Sequence, residues 1–193
     1  MKRKLTLPLW YGLLLITTCS FTTVQAQKPH FGLKLGMISS NLSFRAVDPI
    51  RTTTPKLSVT FGAFLNIPVS DRFTIRPSVE YVSKGGHAGL FFPGKVQFSY
   101  LDIPLNLIYG LPHKKNKLLA GCGPVISFLL NDKEWSAYNT SDIGVNTMTG
   151  YEWAIGVSLN LNFTQGLKNI APNKTNGEDI KNHYFGFTIG YWF

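Results

Sequence analysis

From residue 31 onward, apolar side chains recur at every second position. In "KLSVTFGAFLNI", 56–67, Leu57, Val59, Phe61, Ala63, Leu65 and Ile67 alternate with Lys56, Ser58, Thr60, Gly62, Phe64 and Asn66. A period of two predicts a strand whose faces meet different surroundings. The same alternation runs through "FGLKLGMISSNLSF" (31–44), "FTIRPSVEYVSK" (73–84), "VQFSYLDIPLNLIYG" (96–110), "SDIGVNTMTGYE" (141–152), "GVSLNLNFTQG" (156–166) and "HYFGFTIGYWF" (183–193). "KLLAGCGPVISFLL", 117–130, departs from it and is apolar on both faces from Val125 to Leu130, the pattern of a strand buried on both sides. Pro77 and Pro104 fall inside strand patterns, where each removes a ladder donor and predicts a bulge or weakened pairing nearby.

The connections between these eight runs alternate in length. "RAVDPIRTTTP", the glycine-rich segment up to Lys95, "NDKEWSAYN" and "LKNIAPNKTNGEDIKN" are long, whereas "PVSDR", "LPHKKN" and a tight turn at Trp153 to Ile155 are short. Runs of about ten residues match tilted strands crossing a bilayer, and short turns on one side with long loops on the other match an outer-membrane barrel. After the first 26 residues no stretch of eighteen apolar residues occurs, so a membrane helix is excluded and a closed barrel is the other architecture that satisfies its backbone in lipid. The expected fold is all-β, an eight-stranded antiparallel up-and-down transmembrane β-barrel. A soluble up-and-down barrel is the competing architecture, supported by the mixed fifth run, but its outer face should be polar. Ten strands would result if the long connections paired with one another.

The N-terminus sets the compartment. Lys2, Arg3 and Lys4, the short apolar core "LWYGLLLIT" and the small-residue site Val24-Gln25-Ala26 read as a signal peptide over 1–26, leaving 27–193 as one barrel domain delivered to the outer membrane. The formal charge of +9 drops to +6 without those three cations. The remainder is spread without a dense basic run, which argues against nucleic acid as a partner. Of two cysteines only Cys122 follows the signal, so stability must come from packing and strand pairing rather than from an intramolecular disulfide.

Strand parity places Lys34, Arg76, Glu80, Lys84, Asp102 and Glu152 on the inward face. Three cations among three anions read as a neutralising network. An eight-stranded barrel is just wide enough for side chains to fill, so these charges are expected to plug the lumen; a small porin-like channel is the alternative. His30, His87, His113 and His183 show no metal-ligand spacing, and neither a metal nor a cofactor is expected. "KGGHAGLFFPGK" resembles a phosphate loop only superficially, since no helix follows, and Phe91 and Phe92 at its tip read as contacts for lipid or a partner. His87, Asp142 and loop serines permit an outer-membrane enzyme, but no strand-turn nucleophile motif supports one.

"FGLKLGMISSN", "YLDIPLNLIYG", "GYEWAIGVSLNLNFTQGLKNI" and the ending "GFTIGYWF" resemble the PorT-like small outer-membrane β-barrel proteins of Gram-negative bacteria. The resemblance implies an integral outer-membrane barrel with outer-membrane lipid around it. It also implies a last strand whose Phe187, Ile189, Tyr191 and Phe193 look like the signal read by the barrel-assembly machinery. One member type assists a protein-secretion apparatus, and no catalytic residue carries over. The expected role is therefore non-enzymatic: structural, binding, or as a component of an envelope or secretion assembly. An envelope protein partner would be met by external loops at 45–55, 85–95, 131–140 and 168–182.

Overall fold

The computed structural model describes residues 28–45, 54–87, 95–130, 141–168 and 179–193. The expected signal peptide over 1–26, Phe91, Phe92 and most of each long connection lie outside the described residues. Eight strands follow in chain order: β1 His30–Arg45, β2 Thr54–Pro68, β3 Phe73–His87, β4 Lys95–His113, β5 Asn116–Leu129, β6 Ser141–Glu152, β7 Val157–Gly166 and β8 Asp179–Trp192. Each pairs antiparallel with its chain neighbours, and β8 returns to pair with β1, so the sheet closes and the described strands leave no open edge.

The barrel is inside-out by the standards of a soluble protein. Leu35, Leu57, Phe61, Leu107, Ile143 and Ile189 stand on the exterior with about half of their surface exposed or more. The interior holds Arg76, Lys84, Asp102, Asn106, Asn146, Ser158 and Asn160 at 5% exposure or less. A polar interior behind an apolar wall is what an outer-membrane barrel requires, and it rules out the soluble barrel. The fifth run now has a reason for its two apolar faces. On β5, Ile126 and Phe128 point outward, while Val125 is buried inside and Leu119 packs in the lumen against Ile108 and Met148. From Val125 onward the strand is mixed because Val125 adds an apolar side chain to the lumen face while Ile126 and Phe128 face lipid.

The strands reach further into the long connections than hydrophobic alternation predicts: β3 continues to His87, and β8 begins at Asp179, which pairs with Arg45. Ladder hydrogen bonds need only backbone, so pairing outlasts the apolar face. The bulge also falls elsewhere than the prolines indicate, between Pro55 and Thr60 where β2 shifts against β3. At Pro77 and Pro104 the β3–β4 register is unbroken, but the pairing lapses between Pro77↔Leu105 and Glu80↔Asp102, as the missing donors demand.

The short turns are built from specific residues. Ser70 accepts the Phe73 backbone N–H on its hydroxyl at 3.1 Å, and Lys114 takes a positive φ of 58° between β4 and β5. The β6–β7 turn closes through Gly156, at φ 89°, whose N–H donates to the Trp153 carbonyl at 3.0 Å. A Cβ there would lie 2.7 Å from the Trp192 carbonyl oxygen. Gly156→Ala is therefore expected to destabilise the refolded barrel by about 1–3 kcal/mol, the range for a backbone forced out of its allowed region. Urea unfolding in detergent micelles checks this; an unchanged midpoint would show that the turn relaxes without cost.

Candidate functional site

The site is the lumen itself, and its charged groups are arranged in three tiers along the barrel. At the end bearing the short turns, Arg76 on β3 reaches across the lumen to Glu152 at the end of β6, Nη2 to Oε2 3.4 Å. Its Nε donates to the Asn66 amide oxygen at 2.6 Å, and its guanidinium lies 4.9 Å from the centre of the Phe64 ring. Phe64 is the aromatic that sequence alternation places among polar residues, and its inward position gives the arginine an apolar face to stack on.

The middle tier joins Lys34 of β1 to Glu80 of β3 at 2.5 Å. Ser78 completes it, donating to Glu80 at 3.0 Å and accepting from Lys34 at 3.3 Å. Beside it, Asn106, Asn146 and Thr164 form a neutral chain, Asn106 Nδ2 to Asn146 Oδ1 at 3.0 Å and Asn146 Nδ2 to Thr164 Oγ1 at 2.7 Å.

The third tier is the most enclosed. Lys84 Nζ stands 2.9 Å from the Asp102 carboxylate and donates to Ser127 Oγ at 3.0 Å, with the two charged side chains 3% and 0% exposed. Asp102 also accepts the Tyr184 hydroxyl at 3.0 Å, and the ammonium lies 4.6 Å from the Tyr100 ring centre and 5.2 Å from that of Tyr184. A lysine next to a serine could serve a nucleophile. Here the ammonium is held by a carboxylate, a hydroxyl and two ring faces, and neither partner meets solvent, so the arrangement is a buried clasp rather than a reactive pair.

All six charged residues named from the sequence thus face the lumen and meet as three pairs. Their neutral partners Asn66, Ser127, Tyr100 and Tyr184 were missed; they share the inward parity, and no local signal says which inward residues touch. Asp142, one of the residues that permit an outer-membrane enzyme, is buried at 2% exposure, and the His87 side chain lies outside the described residues. Among the described residues no group of three His, Cys, Asp or Glu side chains is placed to hold a metal. Phe187, Ile189, Tyr191 and Phe193 stand outward on the lipid side. Trp192 sits at the same level but turns into the barrel mouth, 4.5 Å from the His30 ring, because it has the opposite parity.

The tiers divide the interior. A vestibule of about 170 Å³ opens at the short-turn end, lined by His30, Asn66, Arg72, Lys117 and Trp192, and reaches Arg76 and Glu152. Beyond it, the space around Lys34, Asn106 and Thr188 is about 10 Å³. A single water needs roughly 10–15 Å³. Around Lys84, Ser127 and Asp142 the remaining gap holds no water-sized volume at all.

A family model described as "Outer membrane protein beta-barrel domain" matches residues 25–173. No curated protein matches the chain. Among solved structures, the chain is similar to the outer membrane protein OprG from Pseudomonas aeruginosa, with 13% identity, a TM-score of 0.54 and coverage of 88% of this chain and 99% of that one. It is also similar to Neisserial surface protein A, with 13% identity, a TM-score of 0.51 and coverage of 86% of this chain and 100% of that one. At such identities the likeness concerns the fold.

Proposed function

Since the chain belongs to the outer membrane protein beta-barrel domain family, we propose that it works as a closed, non-enzymatic barrel, a structural or binding component of the outer membrane. The observation that carries this reading is the sequence of three ion-paired tiers, which leaves less than about one water's volume between the middle of the lumen and Lys84. Among the described residues, a lumen filled in this way leaves no water-sized passage around Lys84, which favours recognition on the barrel's outside. The long connections, opposite the periplasmic short turns, are the surfaces for an envelope protein partner, in an envelope or secretion assembly. The outward row Phe187, Ile189, Tyr191 and Phe193 is the face that lipid and the barrel-assembly machinery would meet.

One observation favours a channel as the second reading: the vestibule already penetrates to Arg76 and Glu152, so motion of that pair would lengthen it. Planar-bilayer recording on the purified barrel separates the two. The plugged reading expects a flat baseline for the native protein. Stable, stepwise conductance from the native barrel would overturn it and establish the channel.

A further inference from the structure

The short-turn rim is chemically lopsided. The β2–β3 turn carries Asp71 beside Arg72, and the β6–β7 turn, Trp153 to Gly156, has no charge. The β4–β5 turn, by contrast, reads His113-Lys114-Lys115-Asn116-Lys117, with every one of its basic residues exposed and no acid among them. The fold sets this turn beside the uncharged one. Asn116 fastens them together, donating from Nδ2 to the Tyr151 hydroxyl at 2.7 Å and accepting the Ala154 backbone N–H on Oδ1 at 3.1 Å. Between the two turns lies an open groove of about 420 Å³ lined by Lys114, Lys115, Asn116, Trp153, Ala154 and Ile155.

Its two sides differ in a way that defines an occupant. Ile155 is 73% exposed, the most exposed large apolar residue described, and Trp153 packs edge-on against Tyr151 at 4.9 Å, an amphipathic pair of the kind found at a membrane interface. Below them the wall continues apolar toward the bilayer through the exposed Leu118 and Leu111. An acyl chain can follow that wall, while the headgroup reaching the rim meets two ammonium groups and no carboxylate in the groove. Lysine stems suit this place because they lie along apolar surface and keep the charge at headgroup level.

We propose that this groove is a binding site for the headgroup of one anionic glycerophospholipid of the periplasmic leaflet. Lys114 and Lys115 hold the phosphate, Ile155 and Trp153 rest against the glycerol and upper acyl chain, and Asn116 keeps the two turns in register. The site rests on the barrel's place in the outer membrane and not on the closure of its lumen, so it stands whether or not the barrel conducts.

The test is native mass spectrometry of the full barrel refolded in micelles doped with either dioleoylphosphatidylglycerol or dioleoylphosphatidylcholine, on the native protein and on Lys114→Gln/Lys115→Gln. Both exchanged positions are solvent-exposed turn residues, and heat-modifiable gel mobility verifies that the variant is folded. The native barrel is expected to retain one phosphatidylglycerol in preference to phosphatidylcholine, and the double variant to bind it roughly ten- to thirty-fold more weakly, the product of two interfacial lysines. Equal retention of the two lipids, or preference unchanged in the variant, would overturn the site. Loss of bound lipid on adding millimolar inorganic phosphate would overturn it as a lipid site and make it a phosphate site instead.

Discussion

Replacing Lys84 with methionine is expected to destabilise the barrel by about 3–5 kcal/mol, the cost of leaving one member of a buried pair without its counter-charge. Asp102 is 0% exposed and would keep only the Tyr184 hydroxyl as a polar partner among the contacts described above. Ser127 would lose its donor, and the rings of Tyr100 and Tyr184 would lose the cation between them. The second half of the experiment is Lys84→Met with Asp102→Leu. Replacing both charges with apolar groups of similar size removes the desolvated Asp102 carboxylate as well, so the double variant should recover part of the loss, the buried Asp142 beside Lys84 still lacking the ammonium. Urea unfolding of the refolded barrel, followed by tryptophan fluorescence and heat-modifiable mobility, reads both. If the single variant unfolds at the native midpoint, or the double variant is no better than the single, the clasp is not what holds this end of the barrel.

Placing an arginine at Leu35 should cost about 2–4 kcal/mol in lipid vesicles, the range for a cation on the lipid face near the bilayer midplane. Leu35 is 59% exposed and is flanked in register by Phe61 on β2 and Ile189 on β8, themselves 54% and 51% exposed. Both register neighbours are apolar, so neither could receive the guanidinium. One residue earlier, Lys34 carries a full charge at no such cost, because its side chain points inward to Glu80 and Ser78. The contrast between adjacent positions is the sharpest consequence of strand parity in this protein. Unfolding of Leu35→Arg at the native urea concentration would mean that this face does not lie in hydrocarbon.

The proposed groove and the proposed closed lumen would together give the two ends of the molecule different work. The rim with Lys114 and Lys115 would anchor the barrel to the periplasmic leaflet, and the long connections would be left free to meet a partner on the other side. Both follow from one architectural fact: consecutive antiparallel strands put successive connections at alternate ends, so the second, fourth and sixth, the short ones, share an end.

The sequence by itself determined the eight alternating runs and their parity; the closed sheet settled eight strands over ten. Alternation is a local property, since side chains at i and i+2 share a face whatever the rest of the chain does, so Leu33 and Leu35 could be separated from Lys34 without knowing any neighbour. It also determined that Arg76, Glu80, Lys84 and Asp102 face inward. Only the tertiary structure decided which cation meets which anion. Arg76 passes over its near neighbour Glu80 to reach Glu152 on the far wall, 76 residues away, while Glu80 goes to Lys34 on the other side of β2. Those partners depend on how the closed sheet staggers its strands and on which residues lie across the bore, which no window of ten residues contains. The same holds for β5. Its inward Leu119 is accounted for by Ile108 and Met148, brought to it from β4 and β6 when the barrel closes.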